Sequence, residues 1–402
     1  GFKGMVMNDW FGGKDAVAQM NAGNDMLQPG TDKQYEAIVE GVRGGVLDEK
    51  VLDRNVKRVL ELVLRSPRFK GYTYSNNPDL KAHAEVTRRS ATEGMVLLKN
   101  DGALPLGNIK NVALFGCTSY DFIAGGTGSG NVNRAYTVSL TEGLANAGYV
   151  VDKNLADAYS KHIAAEKERI KPDPSVPFSQ FLPLPLPDEM IPSAAELQKY
   201  VAVNDVALIT LGRLSGEFFD RSQADFELSK YERTLINVVC KAFHAAGKKV
   251  VVVLNIGGVI ETASWKNMPD AILCAWQAGQ EGGNSVADVL SGAASPSGKL
   301  TMTFPVAFAD AASSANFPID QKVNIDITNS DSGNGNVKNV DFTEYQEDIY
   351  VGYRYFDSFG KDVSYHFGYG LSYTTFEYSA PAVSLANDVV TVTVHIAKTA
   401  AV

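Results

Sequence analysis

Apolar residues recur along the chain in two alternating patterns, short continuous runs and longer stretches with helical spacing. In residues 1–66 the runs predict strands over 3–7 and 24–28, and the helical spacing predicts helices over 14–21, 35–43 and 48–65. Asp48 is placed to cap the last helix, whose apolar face is predicted to hold Val51, Leu52, Val56, Val59, Leu60 and Val63. Strands alternating with helices are typical of an α/β barrel, which needs eight strands to close. We therefore interpret residues 1–66 as the C-terminal part of a (β/α)8 barrel and expect the other strands outside them.

A second alternating pattern begins at residue 79, after a polar, turn-rich linker over 67–78. Predicted helices cover 80–95, 140–147, 155–170, 230–246 and 285–290, and predicted strands cover 111–116, 205–211, 248–255, 271–276 and 299–304. Ser229 and Glu232 form a capping box at the start of the fourth helix. Continuous apolar strands alternating with helices predict a parallel sheet covered on both faces. The fold class predicted for 79–372 is therefore a doubly wound α/β sandwich domain.

Three further segments depart from this alternation. Residues 169–192 contain seven prolines, which predicts an extended surface excursion, and 329–339 form a polar loop. Residues 373–402 turn to alternating Thr, Val and Tyr, with predicted strands over 376–378 and 389–395. We interpret this last segment as the start of a β-sandwich domain.

Composition excludes several classes of protein. The 402 residues are 45% hydrophobic and 21% charged, which is ordinary for a globular chain of two or three domains. The 37 basic and 46 acidic residues give a net charge of −9, and no basic cluster predicts nucleic-acid binding. The longest apolar run, 250–260, is too short to span a membrane, and three sparse cysteines argue against a disulfide framework. Because the sequence opens on Gly rather than Met, we expect it to be cut at its start, which leaves the compartment open.

Asp9 is the first candidate for chemistry. It follows a predicted barrel strand, and active sites of such barrels are built at the carboxyl ends of their strands. The adjacent Trp10 would offer an aromatic face to a sugar ring. An Asp after a strand is more often a turn former or helix cap, so this pattern alone leaves both interpretations open.

Glu217 is the second candidate, in the segment 212–221 after a buried strand, where open α/β sheets bind ligands. Glycine and aromatic neighbours would partly withdraw its carboxyl group from water, which suits a general acid. The commoner case is a solvated loop carboxylate paired with Arg213 or Arg221.

The glycine-rich loop 125–130, which contains Ser129, follows another strand and is placed like a phosphate loop but lacks the P-loop ending. Scattered histidines predict neither a metal site nor a hydrolase triad.

Several motifs together, in order over nearly the whole chain, resemble those of glycoside hydrolase family 3, the β-glucosidase and β-xylosidase family. They are Gly-Met-Val-Met-Asn-Asp-Trp at 4–10, Ala-Gly-Asn-Asp-Met at 22–26, Glu-Gly-Met-Val-Leu-Leu-Lys-Asn at 93–100, Leu-Pro-Leu at 104–106, Ser-Gly-Glu at 215–217, Asn-Ile-Gly at 255–257, Trp-Gln-Ala-Gly-Gln-Glu at 276–281, Pro-Ser-Gly-Lys-Leu at 296–300 and Tyr-His-Phe-Gly-Tyr-Gly-Leu-Ser-Tyr at 365–373. The resemblance implies that residues 373–402 begin a fibronectin type III-like domain.

The resemblance also assigns roles. It implies that Asp9 is the nucleophile, that Trp10 is a wall of the sugar site, and that Glu217 is the acid/base. Ser129 matches a position that reaches the terminal sugar in similar members. Phe218-Phe219 departs from the Gly-Tyr that often follows this Glu. A retaining mechanism would place the two carboxyl groups about 5–5.5 Å apart and would need no metal or other cofactor.

These expectations combine into one predicted function. We expect a retaining, exo-acting β-glucosidase whose partners are a β-glucoside or short β-linked oligosaccharide and the remainder of the barrel, with no nucleic acid and no membrane. The alternatives are a β-xylosidase or a β-N-acetylglucosaminidase of the same family, or a non-catalytic carbohydrate-binding fragment if the rest of the barrel is absent. Self-association into a homo-oligomer stays open.

Overall fold

A computed structural model describes residues 2–175, 184–217, 221–315 and 346–399 of the chain. Residues 2–78 belong to one structural unit, and the described residues from Asp79 onward belong to a second. The predicted polar loop 329–339 and the pair Phe218-Phe219 lie outside the described residues.

The first unit is mainly helical. Its helices are α1 (Ala16–Ala22), α2 (Asp32–Arg43) and α3 (Glu49–Arg65). The two predicted strands are reduced to one parallel β-bridge, between Met7 and Met26, so the prediction of full strands is wrong for the described residues. A strand needs a hydrogen-bonded neighbour along its length, and in this unit each segment has only the other. The parallel direction of the bridge is nevertheless the one that a barrel requires.

Helix α3 shows how far local signals determine the fold of this unit. Its start is as predicted, because the Asp48 carboxylate accepts a hydrogen bond from the backbone N–H of Lys50 at 2.9 Å. The predicted apolar face is only partly covered, since Val56 and Leu60 are 46% and 54% exposed. The described residues of this unit therefore leave part of the predicted apolar face exposed.

The second unit is built on a six-stranded sheet with the order β1-β6-β5-β4-β2-β3. Its strands are β1 (Val96–Asn100), β2 (Asn111–Phe115), β3 (Val150–Val151), β4 (Val206–Arg213), β5 (Lys249–Ile256) and β6 (Ala271–Cys274). All neighbours are parallel except β1 and β6, which pair antiparallel. The doubly wound sheet is confirmed, and the expectation that it is entirely parallel is wrong at this edge.

One strand was missed and another was wrongly predicted, both because strand pairing is set by tertiary structure. Strand β1 was not predicted; in the structure it runs to Asn100, and the chain bends at Asp101 and Gly102 after it. The strand predicted over 299–304 is also wrong, since only β7 (Phe304–Pro305) forms, and it pairs antiparallel with β8 (Val363–Tyr365) outside the main sheet. An apolar run does not state which partner the strand will find.

Helices flank this sheet along the chain. They are α4 (Leu80–Gly94), α5 (Leu140–Asn146), α6 (Lys153–Arg169), α7 (Ala194–Val203), α8 (Gln223–Phe226), α9 (Lys230–Ala245), α10 (Gly282–Ser291) and α11 (Tyr353–Ser358). The predicted capping box is confirmed, since Ser229 and Glu232 bond each other's backbone N–H at the start of α9. Helix α6 starts two residues earlier than predicted because the Asp152 side chain caps it. Helix α7 was not predicted.

The core of the second unit lies on both faces of the sheet. Every residue of β4 is buried, and its successive side chains enter two different apolar clusters. Ile209 and Leu211 pack in one cluster, while Val206 and Leu208 pack in the other. Because successive side chains of a strand point to opposite faces, the sheet is covered on both sides, as the continuous apolar runs predict.

The proline-rich segment returns to the interior. Residues 184–192 contain neither helix nor strand, but Glu189 is buried, so the prediction of a purely surface excursion is wrong for this part. Both carboxylate oxygens of Glu189 accept the backbone N–H of Cys117, at 3.1 and 3.0 Å. That N–H lies just beyond the end of β2, so the segment is attached to the carboxyl edge of the sheet.

The C-terminal segment forms two small antiparallel pairs of exposed strands. They are β9 (Phe376–Tyr378) with β12 (Ile396–Lys398), and β10 (Ala382–Ala386) with β11 (Val389–Thr393). The strand predicted over 376–378 is confirmed, whereas the one predicted over 389–395 ends at Thr393. Four described strands in antiparallel pairs agree with the start of a β-sandwich.

Candidate functional site

Asp9 lies in the first unit, two residues beyond the parallel bridge at Met7. Its Oδ1 accepts the N–H of Trp10 at 2.7 Å, and its backbone carbonyl accepts the N–H of Gly12 at 2.9 Å. These bonds form a tight turn in which the Asp9 side chain stays exposed. The carboxylate is therefore held by local geometry and is open to a reacting group.

Asn8 fixes this turn to the neighbouring segment. Its Nδ2 donates to the carbonyl oxygens of Gly12 and Gln28, at 2.7 and 3.2 Å. Its Oδ1 accepts the N–H of Gln28 at 2.7 Å. The sequence analysis did not propose a role for Asn8, although its position directly before the candidate nucleophile could have indicated one.

Trp10 follows Asp9 and is 66% exposed. Its ring meets the ring of Phe11 edge to face, with centroids 5.9 Å apart. An exposed aromatic face beside a carboxylate is suited to a sugar ring, which presents C–H groups on one face and hydroxyl groups at its edge.

Glu217 lies in the second unit, four residues after β4 ends at Arg213. The loop that carries it is fixed to the next strand, because Ser215 Oγ donates to the carbonyl of Gly257 at 3.0 Å. The backbone N–H of Gly257 in turn donates to the carbonyl of Arg213 at 3.1 Å. The Glu217 carboxyl group is therefore carried on a loop anchored to two buried strands.

The expected pairing of Glu217 with an arginine is not found. Arg213 is buried and forms a bidentate ion pair with Glu232, with N–O distances of 2.5 and 3.0 Å. Arg221 pairs with Asp225 at 2.6 Å. Both guanidinium groups are thus occupied elsewhere, and the interpretation of Glu217 as a surface ion-pair partner is wrong.

Ser129 and Glu217 are brought together although 88 residues separate them. The Ser129 hydroxyl donates a hydrogen bond to Oε1 of Glu217. The contact arises because the two loops follow β2 and β4, which are neighbours in the sheet. The two candidates of the first unit, Asp9 and Trp10, are adjacent to each other, and those of the second unit share this contact.

Residues 95–373 match the Glycosyl hydrolase family 3 C-terminal domain, which is more than half of the chain. The chain belongs to glycosyl hydrolase family 3. This confirms the resemblance that the motifs carry.

Relatives of this family member are enzymes that act on glycosides. The chain is 35% identical to β-glucosidase A of Butyrivibrio fibrisolvens over 76% of its length, and 33% identical to an exo-α-(1→6)-L-arabinopyranosidase of Bifidobacterium longum over 96%. The structure of β-glucosidase 3B from Thermotoga neapolitana in complex with glucose matches 99% of the chain at 42% identity with a TM-score of 0.87. The chain spans 37%, 46% and 54% of these three proteins, respectively, so it corresponds to about half of each or less.

The second unit of this family 3 member also contains a cavity of about 530 Å³ at the carboxyl ends of β2 and β4. Thr118, Leu186, Glu189, Ser215 and Glu217 are among its lining residues. After β2 the chain continues to β3 on one side, and after β4 it continues to β5 on the other. Such a switch point is where open α/β sheets bind ligands. Burial raises the pKa of the Glu189 carboxyl group to about 8.

The described residues contain no group of three or more His, Cys, Asp or Glu side chains placed to hold a metal ion. Among the helices of the same part of the chain, none is long and apolar enough to cross a membrane.

Proposed function

We propose that this protein is a retaining, exo-acting β-glucosidase in which Asp9 is the nucleophile and Glu217 is the acid/base. The observation that carries the proposal is the position of Glu217, on an anchored loop at the carboxyl edge of β2 and β4, in a chain of glycosyl hydrolase family 3. Its carboxyl group has no ion-pair partner among the described residues, so it is free to exchange a proton with a substrate.

The chemistry proceeds in two displacements. In the first, the Asp9 carboxylate forms a bond to the anomeric carbon while the bond from that carbon to the leaving oxygen breaks. Glu217 gives its proton to this oxygen, and the alcohol departs. In the second, Glu217 takes a proton from water, whose oxygen displaces Asp9 from the anomeric carbon. Both carboxyl groups end in their starting protonation states, and the sugar keeps its anomeric configuration.

Substrate choice is the less constrained part of the proposal. Relatives called β-glucosidases support a terminal β-D-glucosyl residue as the group transferred. Relatives that act as arabinopyranosidases support testing a wider panel of sugars. We expect p-nitrophenyl β-D-glucoside to be hydrolysed faster than the corresponding β-D-xyloside, α-L-arabinopyranoside and N-acetyl-β-D-glucosaminide. A higher kcat/KM for any of the other three glycosides would show that glucose is not the preferred sugar.

We also propose that the active protein needs a completed barrel. The exposed apolar side chains of α3, including Val56, Leu60 and Val63, present a face that further barrel elements would bury. The remainder of the barrel is therefore the macromolecular partner that we propose for the first unit, supplied within a longer chain or by a second one.

The test of the nucleophile is Asp9→Ala in the protein with its barrel complete. Turnover of aryl β-glucosides should fall by at least about 10⁴-fold, because no covalent intermediate can form. Asp53→Ala, which changes an exposed carboxylate of the same unit, is the matched control and should retain activity. Wild-type rates in Asp9→Ala would show that the assignment is wrong.

The acid/base is tested by the dependence of rate on the leaving group. Glu217→Ala should lower kcat/KM strongly for cellobiose, whose leaving alcohol needs a proton, and much less for 2,4-dinitrophenyl β-glucoside, whose leaving group needs none. An equal loss for both substrates would contradict the assigned role.

A further inference from the structure

The glycine-rich loop 125–130 is attached directly to the loop that carries Glu217. The backbone N–H of Thr127 donates to the carbonyl of Ser215 at 2.9 Å, and Thr127 forms a parallel bridge with Gly216. The Thr127 hydroxyl donates to the carbonyl of Glu217 at 2.8 Å. The bridge and the hydroxyl contact therefore fix the backbone that carries Glu217.

Three glycines of the two loops are required by this close approach. A Cβ on Gly128 would lie 2.4 Å from Cβ of Glu217, and a Cβ on Gly126 would lie 2.7 Å from the carbonyl oxygen of Ser215. Gly216 has a φ of +138°, which side-chain-bearing residues rarely adopt. The packing of one loop on the other thus accounts for Gly126, Gly128 and Gly216.

The side-chain contact completes the arrangement. Ser129 donates to Oε1 of Glu217. The nearby guanidinium groups of Arg213 and Arg221 are paired with Glu232 and Asp225. Among the described residues, Ser129 is therefore the side-chain donor that sets the direction of this carboxyl group.

Resting on the proposed role of Glu217 as acid/base, we propose that Ser129 is a positioning residue for that carboxyl group. Its hydroxyl holds Oε1, so that the proton is carried on Oε2 and is directed toward the glycosidic oxygen. As the proton moves to the leaving oxygen, negative charge develops on the carboxyl group, and a hydrogen bond to a charged acceptor is stronger than one to a neutral acceptor. The Ser129 contact therefore stabilises the transition state more than the ground state.

This role makes a different prediction from direct contact with the terminal sugar, which the family resemblance implies for Ser129. A sugar contact is the same for every glucoside, so its loss lowers all rates by one factor. A contact that acts through Glu217 matters in proportion to how much the leaving group depends on protonation.

The experiment is Ser129→Ala in the protein with its barrel complete, compared over cellobiose and aryl β-glucosides of increasingly acidic leaving group. We expect kcat/KM to fall about tenfold for cellobiose and less than about twofold for 2,4-dinitrophenyl β-glucoside. Ser129→Thr, which keeps a hydroxyl, should recover most of the loss. Ser295→Ala, which removes an exposed hydroxyl bonded to Ser372, is the matched control and should leave every rate unchanged.

A double-mutant cycle with Glu217→Gln separates the two roles. If Ser129 acts through the acid/base, adding Ser129→Ala to Glu217→Gln should cause no further loss with 2,4-dinitrophenyl β-glucoside. A uniform loss over all leaving groups, no loss with cellobiose, or a further loss in the double variant would overturn the inference.

Failure of the underlying function has a different signature. If the wild-type protein does not hydrolyse β-glucosides, or if Glu217→Ala shows no dependence on the leaving group, the proposed function fails. If Glu217→Ala behaves as expected while Ser129→Ala lowers all rates equally, only the positioning role fails.

Discussion

The carboxyl group of Glu189 is withdrawn from water by the proline-rich segment and the sheet edge around it. Burial penalises its charged form, and the pKa rises to about 8, although the N–H of Cys117 opposes the shift. In the unfolded chain a glutamate has a pKa of about 4.3. Between these two values the native protein holds a proton that the unfolded chain has released, so the free energy of unfolding falls as pH rises.

Glu189→Gln tests this linkage. The amide keeps a carbonyl oxygen for the Cys117 N–H but cannot ionise, so the variant loses this pH dependence. The free energy of unfolding of the wild type minus that of the variant should decrease between about pH 4.5 and pH 8, by up to about 4 kcal/mol. Urea unfolding across this range measures the difference, with the exposed Glu93→Gln as control. A difference that is constant with pH would contradict the prediction.

At the scale of elements, α5 and α10 approach so closely that their contact is made by backbone. A Cβ on Gly143 would lie 2.0 Å from the carbonyl oxygen of Gly283, and a Cβ on Gly283 would lie 1.8 Å from the carbonyl oxygen of Ser139. Because the nearest atoms at both positions belong to the backbone, no flexible side chain could move to make room for a Cβ. These glycines therefore set the distance between two helices that pack on the sheet.

Gly143→Ala should accordingly destabilise the protein despite the better helix propensity of alanine. We expect the free energy of unfolding to fall by up to about 2 kcal/mol, because an overpacking cost of up to about 3 kcal/mol outweighs a gain of about 1 kcal/mol from propensity. Gly94→Ala is the matched control, since a Cβ there has nothing within 4 Å at the end of α4. Thermal unfolding of both variants measures the contrast, and equal melting temperatures would refute it.

Features set by residues close in sequence could be predicted, whereas features set by tertiary contacts were missed. The caps at Asp48 and Ser229 were predicted because each bond joins residues two or three apart. The start of α10 was missed because Gly282 and Gly283 have poor helix propensity, and only packing explains them. The contents of the candidate site were predicted from motifs, but the contact of Ser129 with Glu217 depends on β2 and β4 being neighbours, which no local pattern states.

At the scale of the whole molecule, the two units differ in how much core they contain. The described residues of the first unit bury a small apolar cluster of Ala16, Met20, Leu27 and Leu47. The second unit has large clusters on both faces of its sheet. A core of four side chains cannot offset the conformational entropy of nearly eighty residues.

Separate expression tests this contrast. A protein that begins at Asp79 should unfold cooperatively and give a dispersed amide NMR spectrum. A protein comprising residues 1–78 should give the narrow spectrum of an unfolded chain. A dispersed spectrum for residues 1–78 would show that α1, α2 and α3 form an autonomous fold.

Strand β1 is synthesised well before the two segments that it pairs with. It pairs with β6 on one side, and on the other side Leu97 forms an antiparallel bridge with Leu371, whose N–H donates to the Leu97 carbonyl at 2.8 Å. Strand β1 would therefore emerge from the ribosome before either of its neighbours has been synthesised. Roughly tens of seconds would pass before Leu371 is made. During that interval the apolar edge at Val96–Asn100 is a target for chaperones, and a message truncated before Leu371 would yield a protein whose sheet is left open to another copy.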